Sequence, residues 1–220
     1  MTRASIRRRI LGLTMIALAA SASVAMAGPP LLCHPFDIGT AQSLPWDGDD
    51  NWRGRAGAAN LQTLVTDTQA LLAPATPVIV RMETLRRAAI YASREPEVAK
   101  QLLDALKARR SSAGADAMAT FDEGYYVETL RQLADLGARG DREMRPHTPA
   151  LNAMLAGSDG YALIQKSLAA RPGDPAIEFA AALISSHGNM RAAAAHARNA
   201  KAGIAQDKLL ARNLGHLSGL

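Results

Sequence analysis

Beyond residue 60 the apolar side chains recur at helical spacing. Leu61, Leu64, Val65, Thr68, Leu71 and Leu72 form one stripe. Val98, Leu102, Ala105 and Leu106 form a second, and Met118, Phe121, Tyr125, Thr129, Leu133 and Leu136 a third, longer one. Isolated amphipathic helices are marginal in water, so each stripe needs a partner surface. Strand signals are nearly absent: the only β-branched run, Val78-Ile79-Val80, passes without a break into the helix-favouring Arg81-Met82-Glu83-Thr84-Leu85. The pattern predicts an all-α protein of stacked antiparallel helical hairpins or an irregular bundle. Its helices should run roughly over 61–73, 77–94, 96–110, 115–137, 150–156, 159–170, 175–186, 189–202 and 206–217.

The breakers are ordered. Pro74-Ala75-Thr76-Pro77, Pro146-His147-Thr148-Pro149 and Pro172-Gly173-Asp174-Pro175 share one spacing. In each, the first proline should stop a segment, Thr or Asp should cap the next helix, and the second proline should occupy its first turn, where a missing N–H costs nothing. Glu95-Pro96 and Gly188-Asn189 mark two further breaks, and Ser158 or Asp159 is placed to cap the helix carrying Tyr161.

Over residues 158–205, Ala181, Gly188, Ala193 and Ala200 stand at the relative spacing of the small residues of tetratricopeptide repeats, with Pro172 closing the preceding unit. The region resembles a degenerate member of that family, lacking its early aromatic and any strict 34-residue period. The resemblance implies a binding scaffold without catalysis.

Residues 28–55 stand apart, with four prolines, Cys33, Phe36 and both tryptophans, Trp46 and Trp52, and no periodicity. So many aromatics argue for an ordered arm docked on the helical body, since disordered tails are poor in them. The run Leu32-Cys33-His34-Pro35-Phe36-Asp37-Ile38-Gly39, followed by Leu44-Pro45-Trp46, also resembles the opening of exported bacterial proteins of uncharacterised function, which brings no activity with it. The organisation expected is a leader at 1–27, an arm at 28–55 and a single helical domain at 56–220.

The leader changes the charge argument. Arg3, Arg7, Arg8 and Arg9 precede the apolar run Ile10–Ala20, and Ala25-Met26-Ala27 is a small-x-small cleavage site ahead of Gly28. A pI near 9.7 would ordinarily suggest nucleic acid. Four of the 25 basic residues and none of the 20 acids lie in residues 1–27, leaving 21 against 20 in the mature chain. The expected location is therefore periplasmic or secreted, with no nucleic-acid partner and no stable membrane span after cleavage between Ala27 and Gly28. Arg7-Arg8-Arg9-Ile10-Leu11 also resembles a twin-arginine signal, with Ile6 where that signal has Ser or Thr, so the export route stays open.

Candidate chemistry is sparse. Cys33-His34 pairs two soft-metal ligands near Asp37, but two ligands do not make a site. The plainer account is a small buried thiol beside a surface imidazole. Asp47-Gly48-Asp49-Asp50-Asn51 begins like a calcium loop, yet Trp52 and Ala58 occupy its glycine and bidentate-glutamate places. Asp122, Glu123 and Glu128 should lie on the wet side of a helix whose core stripe holds Phe121 and Tyr125. The pairs Arg86-Arg87 and Arg109-Arg110 read as solvated faces. Zinc-protease, dinucleotide, P-loop and Ser-x-x-Lys motifs are all missing, and no cofactor is implied.

The function expected is an exported scaffold binding an envelope protein or peptide, with Phe36, Trp46 and Trp52 as contacts wherever they are exposed. A metal or redox role for Cys33 and His34 is one alternative. An enzyme with an unfamiliar helical site is the other, and it would show as Glu128, Asp135 or His147 converging in a polar cleft with several histidines.

Overall fold

A computed structural model describes residues 28–46, 52, 53, 59–112, 114, 116–218 and 220. The leader at 1–27, the arm–body boundary at 55–56 and the Asp47–Asn51 turn lie outside the described residues. Among the described residues the chain is all-helical and contains no strand. The helices are α1 (Leu64–Leu71), α2 (Val78–Ala92), α3 (Pro96–Ser112), α4 (Ala117–Ala138), α5 (Thr148–Leu155), α6 (Gly160–Ala170), α7 (Pro175–Ser185), α8 (Met190–Ala202) and α9 (Lys208–Asn213), with a 3₁₀ turn at Leu214–Leu217. Each coincides with a stretch expected from periodicity, to within three residues at its start.

Side-chain caps set several starts. Asp116, Asp159, Asn189 and Asp207 each accept a backbone N–H in the first turn of α4, α6, α8 and α9. The shared proline spacing, however, gives three different junctions. At α7 it behaves as expected: Asp174 accepts from the Ala176 and Ile177 amides, and Pro175 occupies the first turn. At α2 the N-cap is Pro77 itself, and the Thr76 hydroxyl donates backwards to the Leu71 carbonyl. At α5 the cap is His147, and the Thr148 hydroxyl donates to the Met144 carbonyl. Threonine can turn its hydroxyl to a preceding carbonyl, which a carboxylate cannot do, and this separates the three.

The 22-residue α4 is the hub, packing on α2, α3, α5, α6 and α7. α4 and α6 cross where Gly124 meets Gly160. A Cβ on Gly124 would lie 2.8 Å from the Gly160 carbonyl, and one on Gly160 only 2.5 Å from the Gly124 carbonyl. α7 and α8 form a tight hairpin in which Ala181, Ala193 and Ala200 are buried, whereas Gly188, at the turn, is exposed.

Enclosure of α2 and α4 overturns two expectations. All of α2 except Arg87 is buried, so Arg86 is a fully buried cation rather than part of a solvated face. On α4, Asp122 and Glu123 are buried too. Asp122 accepts from Arg81 at 2.6 Å and lies 3.6 Å from Arg109, while Glu123 accepts from Arg110. Where neighbours cover a helix, as at Asp122 and Glu123, its charges must pair internally. Arg81 also donates to the Ala73 and Thr76 carbonyls, fixing the α1–α2 junction.

The other buried charges hold the arm. Residues 28–46 contain neither helix nor strand, so their buried backbone groups need partners from elsewhere. Arg86 donates through Nε and Nη2 to the Leu32 carbonyl at 3.1 and 2.8 Å. Glu83 accepts from the Phe36 amide at 3.0 Å, and Gln132 accepts from the Leu31 amide at 3.0 Å. Arg87 donates to the Leu44 carbonyl and Tyr91 to that of Pro45. At the far end of the chain, Asn213 both donates to the Asp37 carbonyl and accepts from its amide. Leu31, Leu32, Phe36 and Leu44 enter the core between these bonds. The arm fills its groove and is structural.

Candidate functional site

One face of α4 carries Glu128, Arg131, Gln132, Asp135, Leu136 and Arg139, which the helical period places in a row beside the core stripe. With Ile184 at the end of α7, His187 and Gly188 in the turn to α8, and Pro29 from the arm, they line a cleft of about 320 Å³. Its position follows from the Gly124–Gly160 crossing and from the arm, whose Leu31 amide is held by Gln132.

The inner end of the cleft is engaged structurally. The Glu128 carboxylate accepts from the Gly160 amide at 3.0 Å, at the N-terminus of α6, and pairs with Arg131 at 3.4 Å. Burial nonetheless pushes its pKa up, against the lowering effect of Arg131 and of the two α6 amides, Gly160 and Tyr161. Arg131 in turn donates to the Ser158 carbonyl at 2.7 Å, tying down the α5–α6 loop. Ser158 has no nucleophile geometry, because its neighbour Asp159 caps α6 and no strand leads into the turn.

The outer end is different. Asp135, Arg139 and His187 are exposed, and none has a side-chain hydrogen bond or ion pair among the described residues. The His187 pKa is lowered, chiefly by partial burial and then by Arg139, with Asp135 opposing. The imidazole is therefore neutral near pH 7, between a free carboxylate and a free guanidinium. The rim thus presents one charge of each sign beside an imidazole.

Of the residues singled out from sequence, Glu128 and Asp135 do meet in this cleft, but His147 does not; it caps α5. Arg139 was missed, and His187 drew notice only as one of the histidines that could have joined Cys33 and His34 on a metal. The polar row Glu128-x-x-Arg131-x-x-x-Asp135-x-x-x-Arg139 was the available signal, whereas the approach of the α7–α8 turn was not visible locally. Phe36 and Trp52 are buried, at 2 % and 8 % exposure, so neither offers a free aromatic surface. Phe36 packs edge-on against Phe179 and 4.7 Å from the His216 ring, and Arg53 lies over Trp52. Trp46 is half-buried under the Arg86 and Arg87 guanidiniums.

Cys33 is half-buried and His34 exposed. Burial raises the Cys33 pKa against the pull of Arg86, keeping a thiol where a soft metal needs a thiolate. Among the described residues no group of three or more His, Cys, Asp or Glu side chains could hold a metal ion. No described helix is long and apolar enough to cross a membrane. Comparison with known proteins yields no matching family model, no matching characterised protein and no matching solved structure.

Proposed function

We propose that the mature chain is an exported helical scaffold that binds a peptide, or an exposed segment of an envelope protein, in the cleft between α4 and the α7–α8 turn. The observation that supports this reading is the pair of exposed opposite charges, Asp135 and Arg139, at the mouth of a concave polar site, neither of them in an ion pair within 4.0 Å among the described residues. Exposed ions with no internal partner are free to meet an incoming ammonium and carboxylate. The volume of about 320 Å³ suits one or two residues or a chain terminus. The aromatic arm has no part in this contact: it completes the cleft wall through Pro29.

Selection of displayed random peptides on the purified mature protein tests the proposal. Selected peptides should lose about tenfold in affinity, or 1.4 kcal/mol, on Asp135→Lys or Arg139→Glu, with Kd read by titration calorimetry. Peptides indifferent to both reversals would refute the cleft as the binding site. Sequencing the N-terminus of the exported product tests cleavage after Ala27; an intact leader in the envelope fraction would refute export by cleavage.

A further inference from the structure

The α6–α7–α8 end of the molecule carries a second cluster, none of whose members lines the cleft. Tyr161, in the first turn of α6, places its Oη 2.8 Å from His196 Nε2 on α8. His196 Nδ1 lies 2.5 Å from Glu178 Oε2, in the first turn of α7. The other carboxylate oxygen of Glu178 accepts from Asn199 Nδ2 at 3.0 Å. Asn199 sits three residues after His196 on the same face of α8, so both reach Glu178 together.

The order of the chain fixes the proton positions. In the neutral imidazole Glu178 selects the tautomer with the proton on Nδ1, which leaves the Nε2 lone pair facing Tyr161 to accept from the phenol. The other tyrosines differ: Tyr126 donates to the Ala99 carbonyl, Tyr91 to that of Pro45, and Tyr125 is fully buried. The side chains of His196 and Glu178 are 17 % and 12 % exposed, and Tyr161 is partly exposed, so the phenol can be reached from solvent. Hydroxyl, imidazole and carboxylate in hydrogen-bonded series is the arrangement that activates a weak oxygen nucleophile.

We propose that Tyr161 is a covalent acyl acceptor for small activated esters, with His196 as its general base and Glu178 as the residue that positions His196. The Tyr161 Oη–carbon bond forms as the phenolic proton passes to Nε2, and Glu178 stabilises the resulting imidazolium. The tetrahedral adduct collapses by breaking the ester C–O bond, and the departing oxygen takes the proton back from Nε2. Acyl-Tyr161 and a free alcohol or phenol result. Water, deprotonated by the same nitrogen, then releases the carboxylic acid and restores Tyr161. Burial raises the Tyr161 pKa, so the resting group is the neutral phenol and depends on this base.

The test is incubation of the mature chain with p-nitrophenyl acetate, acid quench and peptide mass spectrometry, alongside nitrophenolate release. Acetyl-Tyr161 should appear ahead of label on any other tyrosine or lysine. His196→Gln should slow its formation about a hundredfold, and Tyr161→Phe should abolish the adduct at that position. Glu178→Gln should displace the pH profile of labelling, which loss of packing alone would not do. Label spread over the lysines with Tyr161 no faster, or wild-type labelling in His196→Gln, would overturn the proposal. Should His196→Gln lose its helical circular dichroism, the competition between Tyr161 and the other nucleophiles within the wild-type chain decides alone.

Discussion

Acid should loosen the protein through one histidine. The His216 ring, in the terminal 3₁₀ turn, lies 4.7 Å from the Phe36 ring and 6.2 Å edge-on from that of Phe179. Burial in this aromatic setting, helped by His34 and Arg86 and opposed by the Pro35 backbone, pushes its pKa down to about 4. In the unfolded chain the same imidazole titrates near 6.5. Between those values the unfolded chain binds the proton and the folded one does not, so stability is complete above pH 6.5 and falls as pH drops through the window. The loss is about 2 kcal/mol by pH 5 and about 3 kcal/mol by pH 4. Asp122, raised to about 6, and Glu128, also raised, act with the opposite sign, because there the folded state takes up its proton first. The raw pH profile is thus a sum, and the informative quantity is the difference between wild type and His216→Phe. Phenylalanine keeps the ring contacts with Phe36 and Phe179 and removes the titrating group, so any constant cost of the substitution cancels when two pH values are compared. Urea unfolding followed by tryptophan fluorescence at pH 8 and pH 5 should show a pH dependence that differs by about 2 kcal/mol between the two proteins. Identical pH dependence would show that His216 titrates alike in the folded and unfolded chains.

Two further substitutions probe the frame. Gly160→Ala would place a methyl group 2.5 Å from the Gly124 carbonyl and 2.7 Å from Glu128 Cγ, so α4 and α6 must separate; a loss of about 2 kcal/mol, or roughly 4–8 °C in thermal midpoint by circular dichroism, is expected, and an unchanged midpoint would show that the crossing has slack. Arg86→Met should cost about 3–5 kcal/mol, since it leaves the buried Leu32 carbonyl without donors and Glu83 short of a partner. Limited proteolysis of Arg86→Met should then cut the arm between residues 28 and 46 well before the helices, and simultaneous digestion of arm and body would contradict the docking role.

The helices were legible because their stripes and breakers are local. The run through Val78-Ile79-Val80 into α2, the Asp174-Pro175 start of α7 and the Asp159 cap of α6 needed only a few neighbouring residues. Misreading began where burial departs from amphipathicity. Arg86 and Asp122 carry the local signature of solvated charges, and only the enclosure of α2 and α4 shows that one holds the arm and the other answers Arg81. The candidate site was half legible for the same reason. Glu128 and Asp135 share one helix face and were suspected together, whereas His187 joins them from the α7–α8 turn, about 50 positions further along the chain. The Tyr161–His196–Glu178 chain was invisible, since three helices each contribute a single ordinary residue.

The grip of Asn213 on the Asp37 backbone spans 176 positions of sequence. Closing so large a loop is slow and entropically unfavourable until the intervening helices have already assembled. The Asp37–Asn213 contact therefore forms only after α9 is in place, later than the bonds that Arg86, Glu83 and Gln132 make to the same arm.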